Sequence, residues 1–178
     1  MRILLYILIL KFFLIVSCET IDCKKTEFST LLNGNQWKGY VKSCYLDDPD
    51  MNNNKDFQII INESNPVHDK FKDALILNRI PFEEGQYFID SLNIFSGVQA
   101  NFLVLEDEYG TPTQRYSVLP FTGSFITVEE IDLQSNTFVV KFELQLSVHG
   151  GVDGELHNST YGKVITFTEG EVSGQFMD

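Results

Sequence analysis

The sequence predicts an all-β protein, built as a single antiparallel β-sandwich or, alternatively, as a partly closed β-barrel. Short segments rich in β-branched and aromatic residues alternate apolar with polar side chains, and turn-forming residues separate them at regular intervals. The helical periodicity of the sequence is weak. Only residues 67–77 could form one or two turns of helix, and they also suit a strand. The 178 residues are enough for one domain with its own core.

The first strands are predicted as a hairpin. Asn33-Gly34 lies within segment 28–42, and this dipeptide is typical of a two-residue turn between antiparallel strands. The short apolar run 56–62 suits a buried strand. Two later segments are predicted to pair with each other: 73–82 and 85–90, around Pro81 and Gly85.

The clearest alternation lies in segment 137–148, where apolar and polar side chains alternate with Val139 as the exception. This pattern indicates a strand with one buried and one solvated face. Further strands are predicted beside turn residues: 98–107 and 114–119 around Tyr109–Pro112, 124–132, and two short strands within 163–176 that meet at Glu169-Gly170.

The amino terminus predicts export and lipid attachment. After Arg2 the chain is apolar as far as Val16 except for Lys11, which is shorter than the roughly 20 apolar residues that span a bilayer. The run ends in Ile-Val-Ser-Cys at 15–18, which resembles the bacterial lipobox. The resemblance implies cleavage before Cys18 and acylation of Cys18, with palmitate-type chains that hold the protein on the membrane. An ordinary signal peptide and a membrane-anchoring helix are the alternatives.

The predicted organisation has three parts: a lipoprotein signal peptide at 1–17, the lipidated cysteine and a polar tether at 18–26, and a β-sandwich domain at 27–178. We therefore expect an outer-membrane lipoprotein of the bacterial cell envelope, facing the periplasm or the cell surface. The membrane is then one partner, through the lipid anchor.

Two further cysteines remain beside the lipid-bearing one. Cys23 lies in the tether, and Cys44 lies at the end of the first hairpin. Exported compartments are oxidising, so a disulfide is the expected state of such a thiol pair. We expect a Cys23–Cys44 bridge that ties the tether to the domain, with two separate thiols as the alternative.

The charge balance excludes one class of partner. The chain carries 13 Lys and Arg residues against 25 Asp and Glu residues, a formal net charge of −12. Without the leader, whose charged residues are Arg2 and Lys11, the formal charge falls to −14. Nucleic acid is not expected as a partner, because binding to phosphates requires a basic face. An acidic surface favours solubility, divalent cations or basic partners.

Several segments share one pattern besides the lipobox: Asn33-Gly34 followed by Trp37, and the stretches LILNRIPFEEGQYFI, GSFITVEEIDLQSNTFVVKFELQL and ITFTEGEVSGQF. Together they resemble a family of small lipoproteins of unassigned activity from Bacteroidota-type bacteria. The chain departs from that pattern at Val172, where an aromatic residue is usual, and at Asn136-Thr137, where a glycine is usual. The resemblance implies an all-β envelope lipoprotein and carries no catalytic residue over.

The sharpest candidate site is an acidic loop with an oxygen-bearing side chain at every second position. A curled loop can direct such oxygens at a hard cation, and the spacing partly matches the calcium pattern D-x-[DN]-x-[DN]. The usual glycine and glutamate of that pattern are replaced by Asn53 and Ile59. Calcium is the one cofactor this suggests, with a solvated turn as the alternative. The five candidate ligands are Asp48, Asp50, Asn52, Asn54 and Asp56.

Other candidate sites are weaker. Trp37, the single tryptophan, could stack on a sugar, although a lone tryptophan beside a hairpin more often fills a core. Ser91 is an O-glycosylation candidate, because Asp90-Ser91-Leu92 is similar to the acceptor triplet of the bacteria named above. A glycine-rich loop carries four residues that could meet a transition metal: His149, Asp153, Glu155 and His157.

The sequence offers no support for catalysis: there is no Gly-x-Ser-x-Gly elbow and no phosphate loop, and the cysteines after the leader are too few to form a nucleophile-base set once two of them are paired. We therefore predict a lipid-anchored envelope protein that acts by binding or by structural interaction, with an unknown protein or glycan as its partner. The longest polar loops, 46–56 and 149–162, are the segments expected to bind it. The alternative is an envelope hydrolase that uses two carboxylates, as glycosidases do.

Overall fold

Asn33 and Gly34 form the predicted turn in this computed structural model. β1 (Thr26–Leu32) and β2 (Asn35–Leu46) run antiparallel on either side of it. Both turn residues have left-handed backbone angles, with φ of 52° at Asn33 and 76° at Gly34. A two-residue turn of this hand matches the twist of the flanking strands, and asparagine and glycine adopt it at low cost. The predicted hairpin is confirmed.

Eight stretches of the chain are described by the structure: 26–46, 56–63, 73–89, 97–105, 112–119, 122–148, 155–156 and 161–176. Eight more strands follow the hairpin: β3 (Asp56–Glu63), β4 (Asp73–Pro81), β5 (Gly85–Phe88), β6 (Gln99–Leu105), β7 (Pro112–Val118), β8 (Phe125–Asp132), β9 (Thr137–Val148) and β10 (Val164–Gln175). These stretches contain no helix, and therefore none long and apolar enough to cross a membrane. Residues 73–77, where the sequence also allowed helix, lie in β4.

Closure of the sheet depends on β9. One edge of β9 pairs with β10, from Thr137 to Ser147. The opposite edge is shared, because β8 occupies it as far as Glu143 and β7 occupies it from Leu146. In the order β10-β1-β2-β3-β4-β6-β7-β9, eight strands form a closed barrel, and β8 and β5 extend beside it as a two-stranded flange. The all-β class is confirmed, and the barrel alternative is the architecture that forms.

One predicted strand pairing is wrong. Segments 73–82 and 85–90 do not pair with each other, because β4 pairs with β3 and β6 while β5 pairs with β8. Near its end β4 contains a left-handed residue, Arg79 with φ of 57°, and its register against β3 shifts there. A bulge of this kind bends a strand, so the chain after Pro81 continues to the flange instead of folding back.

The carboxyl-terminal segment forms one strand where the sequence predicts two. β10 continues through Glu169 and Gly170, and its register against β9 shifts between Phe167 and Gly170. Glu169 is left-handed, with φ of 56°. A bulge therefore replaces the predicted turn, and it bends the strand without reversing it because β9 pairs with both halves.

Aromatic side chains fill the barrel near the start of β9. Phe138 lies beside the rings of Phe57 and Phe176, and Phe82 contacts both of these rings, with centroids 4.9 to 5.4 Å apart. The predicted buried face of β9 is confirmed. Its residues are each at most 3% exposed: Phe138, Val140, Phe142, Leu144, Leu146 and Val148.

A second aromatic group fills the other half of the barrel. Trp37, Phe102 and Phe167 contact one another with ring centroids 5.4 to 5.9 Å apart. All three are at most 4% exposed. Large rings in edge-to-face contact leave little room between them. These rings therefore belong to the hydrophobic core of the barrel.

The two ends of the barrel carry different parts of the chain, and we name them after residues at the two ends of β1. The hairpin turn lies at the Asn33 end, where β3, β6 and β9 end and β4, β7 and β10 begin. The Thr26 end carries the β8–β9 turn and Phe176, whose N–H donates to the carbonyl of Asn136 at 2.7 Å. Because the predicted tether joins the domain at Thr26, the Asn33 end lies on the far side of the domain from it.

Gly170→Ala should destabilise the barrel. A Cβ on Gly170 would lie 2.4 Å from Cε2 of Phe142. Phe142 is 1% exposed and stacks on Phe28 with centroids 6.0 Å apart, so its ring has no space to retreat. We expect the free energy of unfolding to fall by about 1 to 3 kcal/mol, the usual cost of overpacking. Urea denaturation followed by the fluorescence of the single tryptophan, Trp37, measures it.

A control variant and a double variant show whether the loss of stability comes from the contact with Phe142. Ser173→Ala, at an exposed position of the same strand, should leave stability unchanged. Phe142→Leu combined with Gly170→Ala should recover part of the loss, because the shorter side chain vacates the space beside Gly170. If Gly170→Ala is as stable as the unchanged protein, the packing of Phe142 against β10 is wrong.

Candidate functional site

A groove of about 310 Å³ lies on the outer face of β8, β9 and β10, and we call it the acidic groove. The register aligns its side chains, since Thr127 and Glu171 lie opposite Lys141 on its two sides, and Phe125 lies opposite Glu143. Alternate residues of a strand point to opposite faces, so Lys141 and Glu143 share the outer face. The groove is lined by Phe125, Thr127, Glu129, Lys141, Phe142, Glu143, Glu169, Gly170 and Glu171.

Four carboxylates and one ammonium group line the acidic groove. Lys141 Nζ lies 2.8 Å from Glu129 Oε1 and 3.6 Å from Glu171 Oε2. The hydrogen bond to Glu129 is the main cause that raises the pKa of Lys141 above its usual range, so this amine stays charged. Glu143 and Glu169 form no ion pair within the described part of the chain. The groove therefore has two carboxylates whose charge no neighbouring cation offsets.

An exposed aromatic residue continues the groove onto the flange. Phe88 of β5 lies opposite Phe125 of β8, with ring centroids 6.5 Å apart. Phe88 is 68% exposed, more than any other large apolar side chain of the described residues. Gln86 lies opposite Thr127 and shares the outer face with it. The outer face thus runs over four strands, from carboxylates on β10 and β9 to an apolar edge on β8 and β5.

A second polar cluster closes the Asn33 end of the barrel. Tyr161, in the connection before β10, donates its phenol hydrogen to Oδ2 of Asp73 on β4. In the closed barrel, β10 and β4 lie four strands apart in either direction, so this hydrogen bond crosses the whole opening. Tyr116 of β7 donates to the carbonyl of Gly162 at 2.8 Å, and Asn33 Nδ2 donates to the carbonyl of Tyr161 at 3.4 Å. Three parts of the wall therefore hold this segment in place.

Two carboxylates face the inside of the barrel at this end. Asp73 has no exposed surface, and Glu63 and Asp73 adjoin the last β3–β4 pair, Asn62 with Ala74. The charges of both carboxylates act on the phenol of Tyr161. Burial, followed by the hydrogen bond to Asp73, raises the pKa of Tyr161. Burial also raises the pKa of Tyr116, with the charge of Asp73 as the smaller cause. Both phenols therefore stay protonated, and stay donors, across the physiological pH range.

Trp37 lies inside the barrel and not on its surface. It is 4% exposed and contacts Phe28, Phe102 and Phe167 edge-to-face, with centroids 5.6 to 6.3 Å apart. Its indole N–H has no hydrogen-bond partner within the described residues. The predicted stacking of a ligand on Trp37 is wrong, because no face of the ring is open to a sugar. The alternative, a tryptophan that fills the core, is what the structure shows.

Most of the other predicted site residues lie outside the described residues. They are Cys18, Cys23, Asp48, Asp50, Asn52, Asn54, Ser91, His149, Asp153 and His157. Lipidation, the disulfide, the calcium loop and O-glycosylation therefore stay predictions. Of the predicted disulfide pair, Cys44 lies in β2 opposite Gln58.

Two predicted metal ligands lie within the described residues. Asp56 begins β3, where burial raises the pKa of its carboxyl group and the charge of Arg79 opposes this shift. The carbonyl of Glu155 accepts a hydrogen bond from Gln114 Nε2 at 3.5 Å, at the Asn33 end. Within the described stretches, no group of three or more His, Cys, Asp or Glu residues could hold a metal ion.

Comparison with protein-family models, with curated proteins and with solved structures finds no match for this chain. The resemblance to the Bacteroidota-type lipoprotein family stays a prediction. The assignment of the site therefore rests on the geometry of the acidic groove and of the Asn33 end.

Sequence patterns do not reveal either polar cluster. The alternation of β9 does predict that Lys141 and Glu143 are solvated, but it does not say which strands lie on either side of them. Tyr161 and Asp73 are 88 residues apart, and no local pattern links them. The signal that could identify both clusters is the order of strands around the barrel, which follows from long-range pairing.

Tyr161→Phe should lower stability at neutral pH and flatten its decline at alkaline pH. The variant removes the donor to the buried Asp73 carboxylate, at a cost of about 1 to 3 kcal/mol. In the unchanged protein the folded state keeps the Tyr161 proton, whereas the unfolded chain releases it above about pH 10. The free energy of unfolding therefore keeps this contribution below that pH and loses it above. The slope of that free energy against pH reflects the difference in bound protons between the folded and unfolded states, and the variant reduces this difference by up to one proton.

Urea unfolding between neutral pH and about pH 11 measures both effects. Tyr87→Phe is the matched control, because this phenol donates to the backbone carbonyl of the exposed Glu83 at 2.8 Å and not to a buried carboxylate, so we expect a smaller loss of neutral stability. Tyr116 remains in the variant with its own raised pKa, so the slope should decrease but not vanish. An unchanged alkaline slope in Tyr161→Phe would contradict the assigned burial of this phenol.

Proposed function

We propose that this protein is a lipid-anchored binding module of the bacterial cell envelope, which holds a partner on the outer face of its barrel. The observation that carries this proposal is the contrast between the two sides of the barrel wall. The described interior contains a core of aromatic and aliphatic side chains, whereas the acidic groove outside is concave and lined by charged side chains beside apolar ones. The described residues thus offer a concave outer surface to a ligand.

The position of β1 supports an anchored arrangement. β1 begins at Thr26, eight residues after the predicted lipid-bearing Cys18. An extended segment of that length reaches at most about 29 Å. The predicted acyl chains would therefore hold the Thr26 end near the membrane, with the side wall and the Asn33 end accessible to a partner. The acidic charge of the chain supports a partner other than nucleic acid.

A hydrolase that uses two carboxylates is the second candidate, because Glu63 and Asp73 adjoin the last β3–β4 pair, Asn62 with Ala74, at the Asn33 end. Such a pair has the residue types that glycoside hydrolysis requires. Asp73, however, has no exposed surface and accepts a hydrogen bond from Tyr161. A substrate would have to displace the Tyr161 segment to reach the pair, and for this reason binding is the function that we place first.

Cys18→Ala tests the anchored part of the proposal. In a bacterium that processes lipoproteins, we expect the full chain to incorporate radiolabelled palmitate and to sediment with membranes. The variant should do neither, because the thiol that accepts the lipid is gone. Metabolic labelling and cell fractionation measure the two properties.

Cys44→Ala is the matched control, and it should keep both the label and the membrane location. An unchanged protein that takes up no palmitate, or a Cys18→Ala variant that still does, would overturn the proposed anchor. Protease treatment of intact cells then assigns the side of the membrane. Cleavage within 47–55 or 149–154 without lysis means that the domain faces outward.

A further inference from the structure

We propose that the acidic groove binds an extended, positively charged peptide segment of a partner protein. This inference rests on the proposed function and names the chemistry of the partner. Three features support it: the uncompensated charge of the groove, its length across the strands, and the spacing of its carboxylates.

Charge is the first feature. The ammonium group of Lys141 is already engaged by Glu129 and Glu171, at 2.8 and 3.6 Å. Glu143 and Glu169 line the same groove, are exposed, and form no ion pair within the described residues. The groove therefore keeps an excess negative potential, which attracts a cationic ligand and repels polyanions. A second copy of this chain, with its own net charge of −12, is a poor occupant for the same reason.

Length is the second feature. Neighbouring strands lie about 4.8 Å apart, so the path from Glu169 on β10 across β9 and β8 to Phe88 on β5 is about 14 Å. An extended peptide advances about 3.4 Å per residue, and four or five residues cover this path. Cationic side chains at one end would meet Glu169 and Glu143. An apolar side chain at the other end would cover Phe88, which is 68% exposed, beside Phe125.

The spacing of the carboxylates is the third feature, and it distinguishes a peptide from a metal ion. No three acidic side chains of the described residues come close enough together to hold a metal. Separate cationic groups on a peptide can instead each meet one carboxylate. A neutral sugar could cover Phe88, but it would leave the charge of Glu143 and Glu169 uncompensated.

Fluorescence anisotropy with the full chain in a neutral detergent tests the proposal. The probe is acetyl-Lys-Lys-Ser-Thr-Leu-amide carrying a neutral dye, at low salt (about 20 mM) and at high salt (about 0.5 M). We expect saturable binding that weakens as salt increases. Glu143→Gln combined with Glu169→Gln should weaken it by about three- to tenfold, as expected for two exposed charge pairs. Phe88→Ser should weaken binding at both salt concentrations, because the contact that it removes is apolar.

The matched control is Glu27→Gln combined with Glu84→Gln, which removes the same charge from exposed positions that do not line the groove. We expect this control to bind like the unchanged protein. Urea denaturation of every variant verifies that the exposed substitutions leave the fold intact.

Several outcomes would overturn the inference: no binding of the basic peptide at low salt, equal binding by the Glu143→Gln/Glu169→Gln protein, or equal binding of the acidic peptide acetyl-Glu-Glu-Ser-Thr-Leu-amide. Displacement of the peptide by a neutral oligosaccharide would also overturn the inference, because a sugar and not a cationic peptide would then be the ligand of the groove. A chain that is acylated on Cys18 but does not bind the peptide loses this inference and keeps its anchor. A chain that is not acylated loses the proposed anchor whatever the peptide does.

Discussion

The ladder between β9 and β10 is the interaction on which the rest of the structure depends. β10 pairs with β1 at only two positions, Leu31 with Thr168 and Leu32 with Phe167, whereas it follows β9 along almost its whole length. Without the β9 ladder, β10 would be a loosely held edge strand and the sheet would stay open. With it, every second side chain of β9 lies inside a closed wall, and the alternate ones lie on the outer side, where all but the buried Ser147 are at least partly exposed. The core and the acidic groove therefore lie on opposite faces of β9.

The bulge in β10 connects the packing of the core with the shape of the groove. On the inner side, Gly170 gives the Phe142 ring the space that any Cβ would occupy. On the outer side, the same irregularity brings Glu169 and Glu171 to the groove that also contains Lys141. A regular strand would place alternate residues on alternate faces, so Glu169 and Gly170 depend on the bulge for their positions. A change in this short segment should thus affect both stability and the surface that we propose for binding.

Local patterns in the sequence identify most of the strands, although they divide β10 into two, and they do not give the order of the strands. The hairpin at Asn33-Gly34 and the buried face of β9 follow from turn chemistry and from a period of two, and both are confirmed. The pairing of 73–82 with 85–90 is wrong because the choice of partner is made by distant strands and not by proximity along the chain. For the same reason the composition of the acidic groove is not visible in the sequence. Whether Trp37 is exposed likewise depends on closure, which places it among Phe28, Phe102 and Phe167.

The two ends of the barrel are closed by different chemistry, and this difference bears on function. At the Thr26 end, Phe57, Phe82 and Phe176 close the interior with apolar contacts. At the Asn33 end, the hydrogen bond from Tyr161 to Asp73 joins opposite walls. Breaking the hydrogen bond from Tyr161 would remove a donor from the buried Asp73 carboxyl group, which is costly away from water, so this bond resists separation of the two walls. The outer wall is the surface that we propose for recognition, because charge without an internal partner and an exposed aromatic edge lie together there.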